Sequence, residues 1–447
     1  MSNNTFYRAA QQGNVLKTPS EYVLTLRESV TLETLRQRAQ QQSLLPALDI
    51  RIDEQEEELH LVFQQDNVIY LYRVSLFTDE YTLSGLEYTP RVQSIAPEIL
   101  QQAAGKRQRV SITTRFQEDV FLSWQYVLKV MAILAPDLLI GQDISAAGKL
   151  FAHNWLQFEA RHPARPRVDS LYIIHAVHDD ENNDYWLHTH GLERLGLPEC
   201  ELIFRRQVES LASAGGLIEA FVNFCLDNGG VDFYTPQWLA RTGEGDQAIV
   251  AIPWEQGLGF VQYGGNLSDL PELEAMPETR PEEPNGRFSG DLADRQEGHN
   301  GPSCLLFRLE DERGNVGCVL DGGLSDDRVM FMKTIALSES EAQKAQLRWP
   351  YFQHIFDTQS ATEDALFIVK MGVPHGEENE HEHMWFKLTA VHEDRLTGIL
   401  TNQPFYVRDM QQDGEYKLPL TLVSDWKIYR PGQEFNPDNI FELISHS

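Results

Sequence analysis

The sequence predicts an α+β protein of several modules, with mixed or antiparallel sheets, packed helices, and a C-terminal strongly bent sheet or partial barrel carrying one helix. Three observations lead there. A chain of 447 residues is too long for one ordinary core at about 100–200 residues per domain. Segments of helical and strand periodicity are interspersed along it, as in layered folds. The final part consists of short strand-like runs joined by Gly and Pro turns, the pattern of a bent sheet.

Residues 22–26 read as a strand, and 31–45 as a helix with Leu32, Leu35 and Ala39 on one side. Residues 58–63 alternate through Leu59, Leu61 and Phe63, while 68–76 form a denser run, as a more buried strand would. These make a small α+β module over 1–100. A second module, 101–262, opens with a helix within 116–139. Its broad apolar face comprises Val120, Trp124, Val127, Leu128, Met131 and Leu134, and Pro136 interrupts it. Strands at 138–144, 170–177, 185–190 and 201–204 and a helix over 207–226, closed by Asn228-Gly229-Gly230, complete an α/β or α+β layer.

Residues 263–300 read as an acidic linker or exposed loop, since 269–297 carries Pro271, Pro277, Pro281 and Pro284, many acids and almost no large apolar residues. Residues 301–337 hold strands at 303–309 and 315–321 around Asp311-Glu312-Arg313-Gly314, then another at 329–335. This hairpin segment can join either neighbour. The last module, 338–447, starts where Ser338 and Glu341 form a capping box leading into Ala342, Ala345, Trp349, Phe352 and Phe356. Strands follow at 365–371, 384–391, 396–400, 406–407 and 416–422.

Composition narrows the function. A net charge of −30, from 67 acidic against 37 basic side chains, repels a phosphate backbone and argues against nucleic acid as a partner. It suits attraction of a basic protein, although solubility alone explains the same charge. No apolar run approaches the roughly 20 residues that cross a bilayer, and the opening residues lack a signal-peptide pattern, so no membrane partner and a cytoplasmic setting are expected. Cys200, Cys225, Cys304 and Cys318 form no CxxC pair and read as reduced thiols.

Glu382-His383-Met384-Trp385, Gly398, Asn402 with Pro404, Gly414 and Asp425-Trp426 follow an Ala-rich helix ending in aromatics. This order, over about 338–432, resembles the YegJ-like domain of unknown function, number 2314. Residues 20–260, centred on Trp186-Leu187-His188-Thr189-His190-Gly191-Leu192 and Gly196, are similar to a second family of unknown function, number 4026. The resemblance implies a fold type and a bacterial, cytoplasmic protein. It implies no catalytic residue, and no cofactor is expected beyond a possible divalent metal.

His188 and His190 are two apart, so in a strand they share a face and can both ligate a divalent metal, with His175 or His178 on a neighbouring strand as a third ligand. Beside Tyr185 and Trp186 they can simply be hydrogen-bonded core histidines, the more ordinary reading. The run from His375 to His383 concentrates imidazoles and carboxylates, making His381 and His383 a second candidate pair. A polar loop before a strand also explains it. Trp385, Asp425 and Trp426 offer a possible binding surface, against which stands a structural Asp over a core Trp. There is no GxSxG elbow, no nucleophile signature around a cysteine, and no phosphate-cradling GxxxxGK[ST] or GxGxxG motif.

The leading expectation is therefore a non-catalytic, immunity-type or regulatory protein that covers a basic protein partner. The alternatives are a metal-dependent hydrolase built on His188 and His190, and a small-molecule sensor using a cleft between modules.

Overall fold

Strand periodicity between residues 20 and 152 builds one seven-stranded sheet. Its order is Asp49–Asp53, Glu58–Gln65, Val68–Thr78, Gln108–Thr114, Ser20–Leu26, Leu138–Asp143, Lys149–Ala152, and every pairing is antiparallel. The computed structural model describes residues 2–78, 86–180, 183–205, 211–276, 288–295, 299–320, 323–324, 329–359, 365–376 and 380–444. The helix Val120–Leu134 is apolar almost all round and buried to match, and Asp119 caps it by accepting from the Leu122 N–H at 2.9 Å. The expected boundary at residue 100 falls inside this sheet. Gln108–Thr114, polar on alternate positions, pairs with strands on both sides of it, so residues up to 152 complete the first unit.

A second, mixed sheet follows. Its main path is Met330–Phe331, Gln237–Thr242, Gly245–Pro253, Ser303–Leu309, Glu199–Arg205, Asp184–His190, Ile173–Asp179, with Gly265–Asn266 and Asn315–Gly317 attached at the side. Glu199–Arg205 and Ser303–Leu309 pair in parallel. Residues 301–337 thus supply strands to this sheet. The helix Ala212–Asp227 covers one face, and a cluster of Trp186, Ile203, Ile252, Trp254, Leu305 and Phe288 covers the other. Phe288, Asp291 and Arg295 are buried. The described part of 269–297 is therefore not simply an exposed linker; Pro277, Pro281 and Pro284 lie outside the described residues.

The third sheet has six strands, ordered Glu415–Pro419, Arg395–Leu400, His381–Val391, Leu366–Pro374, Val423–Arg430, Gln433–Phe435, all antiparallel. It is neither closed nor strongly curled, which corrects the expected partial barrel. Glu415–Pro419 and Gln433–Phe435 stay at opposite edges, and helices laid on one face bury the apolar side chains without closure. Nor is there a single helix. Ile335–Leu347 begins one turn before the expected cap, where Thr334 Oγ1 accepts from the Leu337 N–H at 3.1 Å, and Trp349–Gln359 restarts it because Pro350 has no N–H for the preceding turn. Residues 406–407, expected as a strand, are not in one. Among the described residues no helix is long and apolar enough to cross a membrane.

Candidate functional site

The strand Asp184–His190 lies between Ile173–Asp179 and Glu199–Arg205. Alternation along it sends Trp186, His188 and His190 to one face. Register then aligns His175 opposite His188, and His188 opposite Glu201. The ligating atoms of His175, His188 and His190 consequently lie within 4.8 Å of one another. A zinc-like ion at about 2.0–2.1 Å from each nitrogen would draw them together by roughly an ångström, within reach of ring rotation.

His299 brings a fourth imidazole from the segment leading into Ser303–Leu309. Its ring centroid is 4.7 Å from His188 and 5.4 Å from His190. The N-terminal helix Asn3–Gln11 pins this segment: Asn3 Nδ2 donates to the Asn300 and Gly301 carbonyls at 3.0 and 3.1 Å, and Tyr7 Oη to the Ser303 carbonyl at 2.9 Å. Sequence reasoning missed His299, which has no spacing relation to the other three.

Beneath the imidazoles sits a buried carboxylate. Glu201 Oε1 accepts from Arg295 Nη1 at 2.9 Å and from the Ser303 hydroxyl, while Oε2 accepts from Arg295 Nη2 at 2.6 Å and Trp186 Nε1 at 2.7 Å. The Arg295 guanidinium in turn lies 4.4 Å over the Trp254 ring. Burial disfavours the Glu201 charge, but Arg295, Ser303 and Trp186 together outweigh it and keep its pKa below the ordinary value.

The histidines are held neutral. Burial, then the neighbouring imidazoles, bring His188 down to about 3 and His190 to about 4, and lower His175 as well. His188 is 4% exposed, its ring 4.1 Å from that of Trp186, and its Nδ1 has no hydrogen-bond partner among the described residues. Glu193 lines the same cavity of about 100 Å³, and burial followed by Glu199 raises its carboxyl to about 7. The assembly offers neutral nitrogen ligands, a proton acceptor and room for a few waters at about 30 Å³ each.

The remaining sequence candidates fall elsewhere. His178 stacks on Tyr185 at 4.0 Å and pairs with Asp180 at 3.1 Å, so His175 is the neighbour that joins the pair. His381 and His383 share an exposed face; His383 Nδ1 lies 2.9 Å from Ser424 Oγ, and no third ligand joins them among the described residues. Glu382, pointing the opposite way, accepts from the backbone N–H groups of Phe405, Tyr406 and Val407 at 2.6–2.8 Å. Trp426 is fully buried and donates to the Ala345 carbonyl at 2.9 Å. It is core rather than binding surface, because alternation turns it to the helix side. Trp385 and Asp425 flank Lys370 in register on the other face, with the Lys370 ammonium 5.7 Å from the Trp385 ring. A further grouping, Glu56, Glu58 and His60, lies on a solvent-facing hairpin.

Three family models match the chain. Protein of unknown function (DUF4026) N-terminal covers residues 20–166, its C-terminal counterpart covers 174–307, and Uncharacterized protein conserved in bacteria (DUF2314) covers 337–435. Neither the curated proteins nor the solved structures give a match. The three matches fall on the first, second and third sheets in turn, and all four clustered histidines lie within the DUF4026 C-terminal match, whereas the pinning residues Asn3 and Tyr7 lie outside it.

Proposed function

We propose that this chain, which belongs to the DUF4026 family and carries a DUF2314 domain, is a metal-dependent hydrolase in which His175, His188 and His190 hold one zinc-like divalent ion. The observation that carries the reading is the convergence of three neutral imidazoles within 4.8 Å, one of which, His188, keeps a buried Nδ1 with no other partner among the described residues. Three protein ligands leave one position of a tetrahedral ion for water, whose pKa such an ion brings to about 7. Glu193, at about 7 itself, is matched to accept that proton. Glu201 and Arg295 act as a rigid floor, and His299 closes the cavity from above. The free thiols of Cys200, Cys225 and Cys304 support a reducing, cytoplasmic setting.

The test is titration of metal-stripped protein with Co(II), read as the visible absorption of a tetrahedral site. One equivalent is expected, lost in His188→Ala/His190→Ala and retained in His381→Ala/His383→Ala. A cobalt spectrum indifferent to the first double substitution overturns the site. A chromogenic panel of carboxylic and phosphoric esters then tests hydrolysis: turnover must depend on added metal and fall in Glu193→Gln while cobalt binding persists. Metal bound without turnover removes the hydrolase part and leaves a structural ion.

A second reading is docking of a basic protein. It is favoured by the net charge of −30 and by Phe405 and Tyr406, 82% and 59% exposed on a loop that Glu382 holds in place. Rigidly presented aromatics of this kind anchor interfaces. Capture from a bacterial lysate that is lost in Phe405→Ser/Tyr406→Ser supports this reading, and capture unaffected by the change removes it.

A further inference from the structure

The histidine cluster is roofed by residues 299–303, a segment outside the two strands that carry His175, His188 and His190. His299 brings its ring within 4.7 Å of His188 and 5.1 Å of Trp186. The Gly301 backbone runs beside Glu193, so closely that a Cβ there would stand 3.3 Å from Glu193 Oε1, and the Ser303 hydroxyl donates to Glu201. Where this segment sits thus decides how the His299 ring, Glu193 and Glu201 stand relative to the three ligating imidazoles.

The position of the segment is set largely by side chains far away in sequence. Beyond the bonds that Asn3 and Tyr7 make to the carbonyls of Asn300, Gly301 and Ser303, the Ser303 N–H donates back to Tyr7 Oη at 3.1 Å, and Trp254 Nε1 donates to the Gly301 carbonyl at 3.1 Å. Glu255 ties the two helix residues together: its Oε1 accepts from Asn3 Nδ2 at 2.8 Å, and its Oε2 lies 3.0 Å from Tyr7 Oη. The helix Asn3–Gln11 is itself firmly seated, with Phe6, Tyr7 and Ala10 buried and Asn4 Nδ2 donating to the Met276 carbonyl at 2.9 Å.

His299 does not belong to the set of ligating atoms that converge within 4.8 Å, which holds His175, His188 and His190. It stands beside the place of the ion rather than on it. Groups in that outer layer orient what the metal and its ligands hold, and losing one costs about 10–100-fold in metal affinity or activity.

On the three-histidine reading above, on which this inference rests, we infer that Asn3 and Tyr7 are positioning residues of the metal site. They act through His299, whose imidazole accepts a hydrogen bond from the water at the open position of the ion. The helix Asn3–Gln11 is then part of the working site, although it lies more than 160 residues before the first ligand.

The test is Co(II) titration of the full, metal-stripped chain, with affinity taken by competition against a chelator and the visible spectrum recorded at saturation. His299→Ala should keep one equivalent, bind it about tenfold more weakly and shift the spectrum. Tyr7→Phe, which removes only the hydroxyl, and Asn3→Ala should each weaken binding and shift the spectrum in the same direction, with melting curves showing that they fold. In the His299→Ala background Tyr7→Phe should change nothing further, as expected of residues that act through one side chain. A tyrosine that merely stabilises the fold would lower affinity with or without His299; that result overturns the proposal, as do folded Tyr7→Phe and Asn3→Ala proteins that bind cobalt like the native chain. If Tyr7→Phe does not fold, Asn3→Ala in the same two backgrounds decides. A cobalt site lost in His188→Ala/His190→Ala but indifferent to His299→Ala removes this inference alone, whereas no cobalt site at those histidines removes the metal reading and the inference with it.

Discussion

Replacing Arg295 by Met should weaken the second unit by about 3–5 kcal/mol, the usual cost of removing one partner of a buried ion pair. The two side chains are 1% and 3% exposed, so water cannot take over the solvation of Glu201. Trp186 Nε1 and Ser303 Oγ would remain as donors to the carboxylate, which places the cost toward the lower end. The sign of the pH dependence also changes. In the native chain the Glu201 pKa is lowered, so its contribution is present above the unfolded value and lost as pH falls through the folded one. In Arg295→Met the orphan carboxyl is raised instead, and stability should be lost as pH rises through its folded value. Urea unfolding followed by the fluorescence of Trp186 and Trp254, at pH 5 and pH 7.5, reads both effects. The variant should be more damaged at the higher pH, and Glu201→Leu/Arg295→Met should recover most of the loss. A cost below about 1 kcal/mol, or a double variant no better than the single one, would refute the reasoning.

Three further outcomes are expected. Glu193 holds a proton in the native state up to about pH 7 that the unfolded chain releases near 4.5, so native stability falls as pH rises through that window. Glu193→Gln should remove the slope and gain about 1–2 kcal/mol at pH 8, after discounting for partial exposure; parallel stability–pH curves would count against it. At Gly290, with φ +85°, a Cβ would stand 2.7 Å from the Trp186 ring, so Gly290→Ala should cost about 1–3 kcal/mol and lower the melting temperature. Trp426→Ala should cost about 3–5 kcal/mol if Trp426 is core, whereas a surface tryptophan would shift stability by about 0.5 kcal/mol or less.

What was legible in the sequence was what repeats at short range. The period of two put His188 and His190 on one face, and His175 needed only a neighbouring antiparallel strand. His299 was hidden because the stretch before it is acidic and Pro-rich, a composition that reads as solvated. Two of its described members nevertheless tie it to the fold: Phe288 packs on the second sheet, and Arg295 neutralises Glu201. The strand Gln108–Thr114 was hidden for a related reason, since only Val110 and Ile112 among its side chains are apolar and its partners on both sides make it a strand. In the last unit, composition signalled many turns but not whether the sheet edges meet. That is a long-range property, and here Glu415–Pro419 and Gln433–Phe435 end on opposite sides.

The same distinction bears on whether the histidines are a site or merely core. Ring nitrogens of less buried histidines find partners, as the half-buried His162 does with Tyr351 and the exposed His383 with Ser424, although His153 Nδ1 has none among the described residues. His188 Nδ1 has none either, despite being more deeply buried than any of these. Packing alone would favour an apolar side chain beside Trp186, since a buried unmatched nitrogen costs about 1–3 kcal/mol. Nor would packing explain three further imidazoles around it, brought from a neighbouring strand, the same strand and a segment pinned by Asn3 and Tyr7. On the proposed reading, a cation held by several neutral nitrogen ligands would account for the orphan nitrogen and for the convergence together.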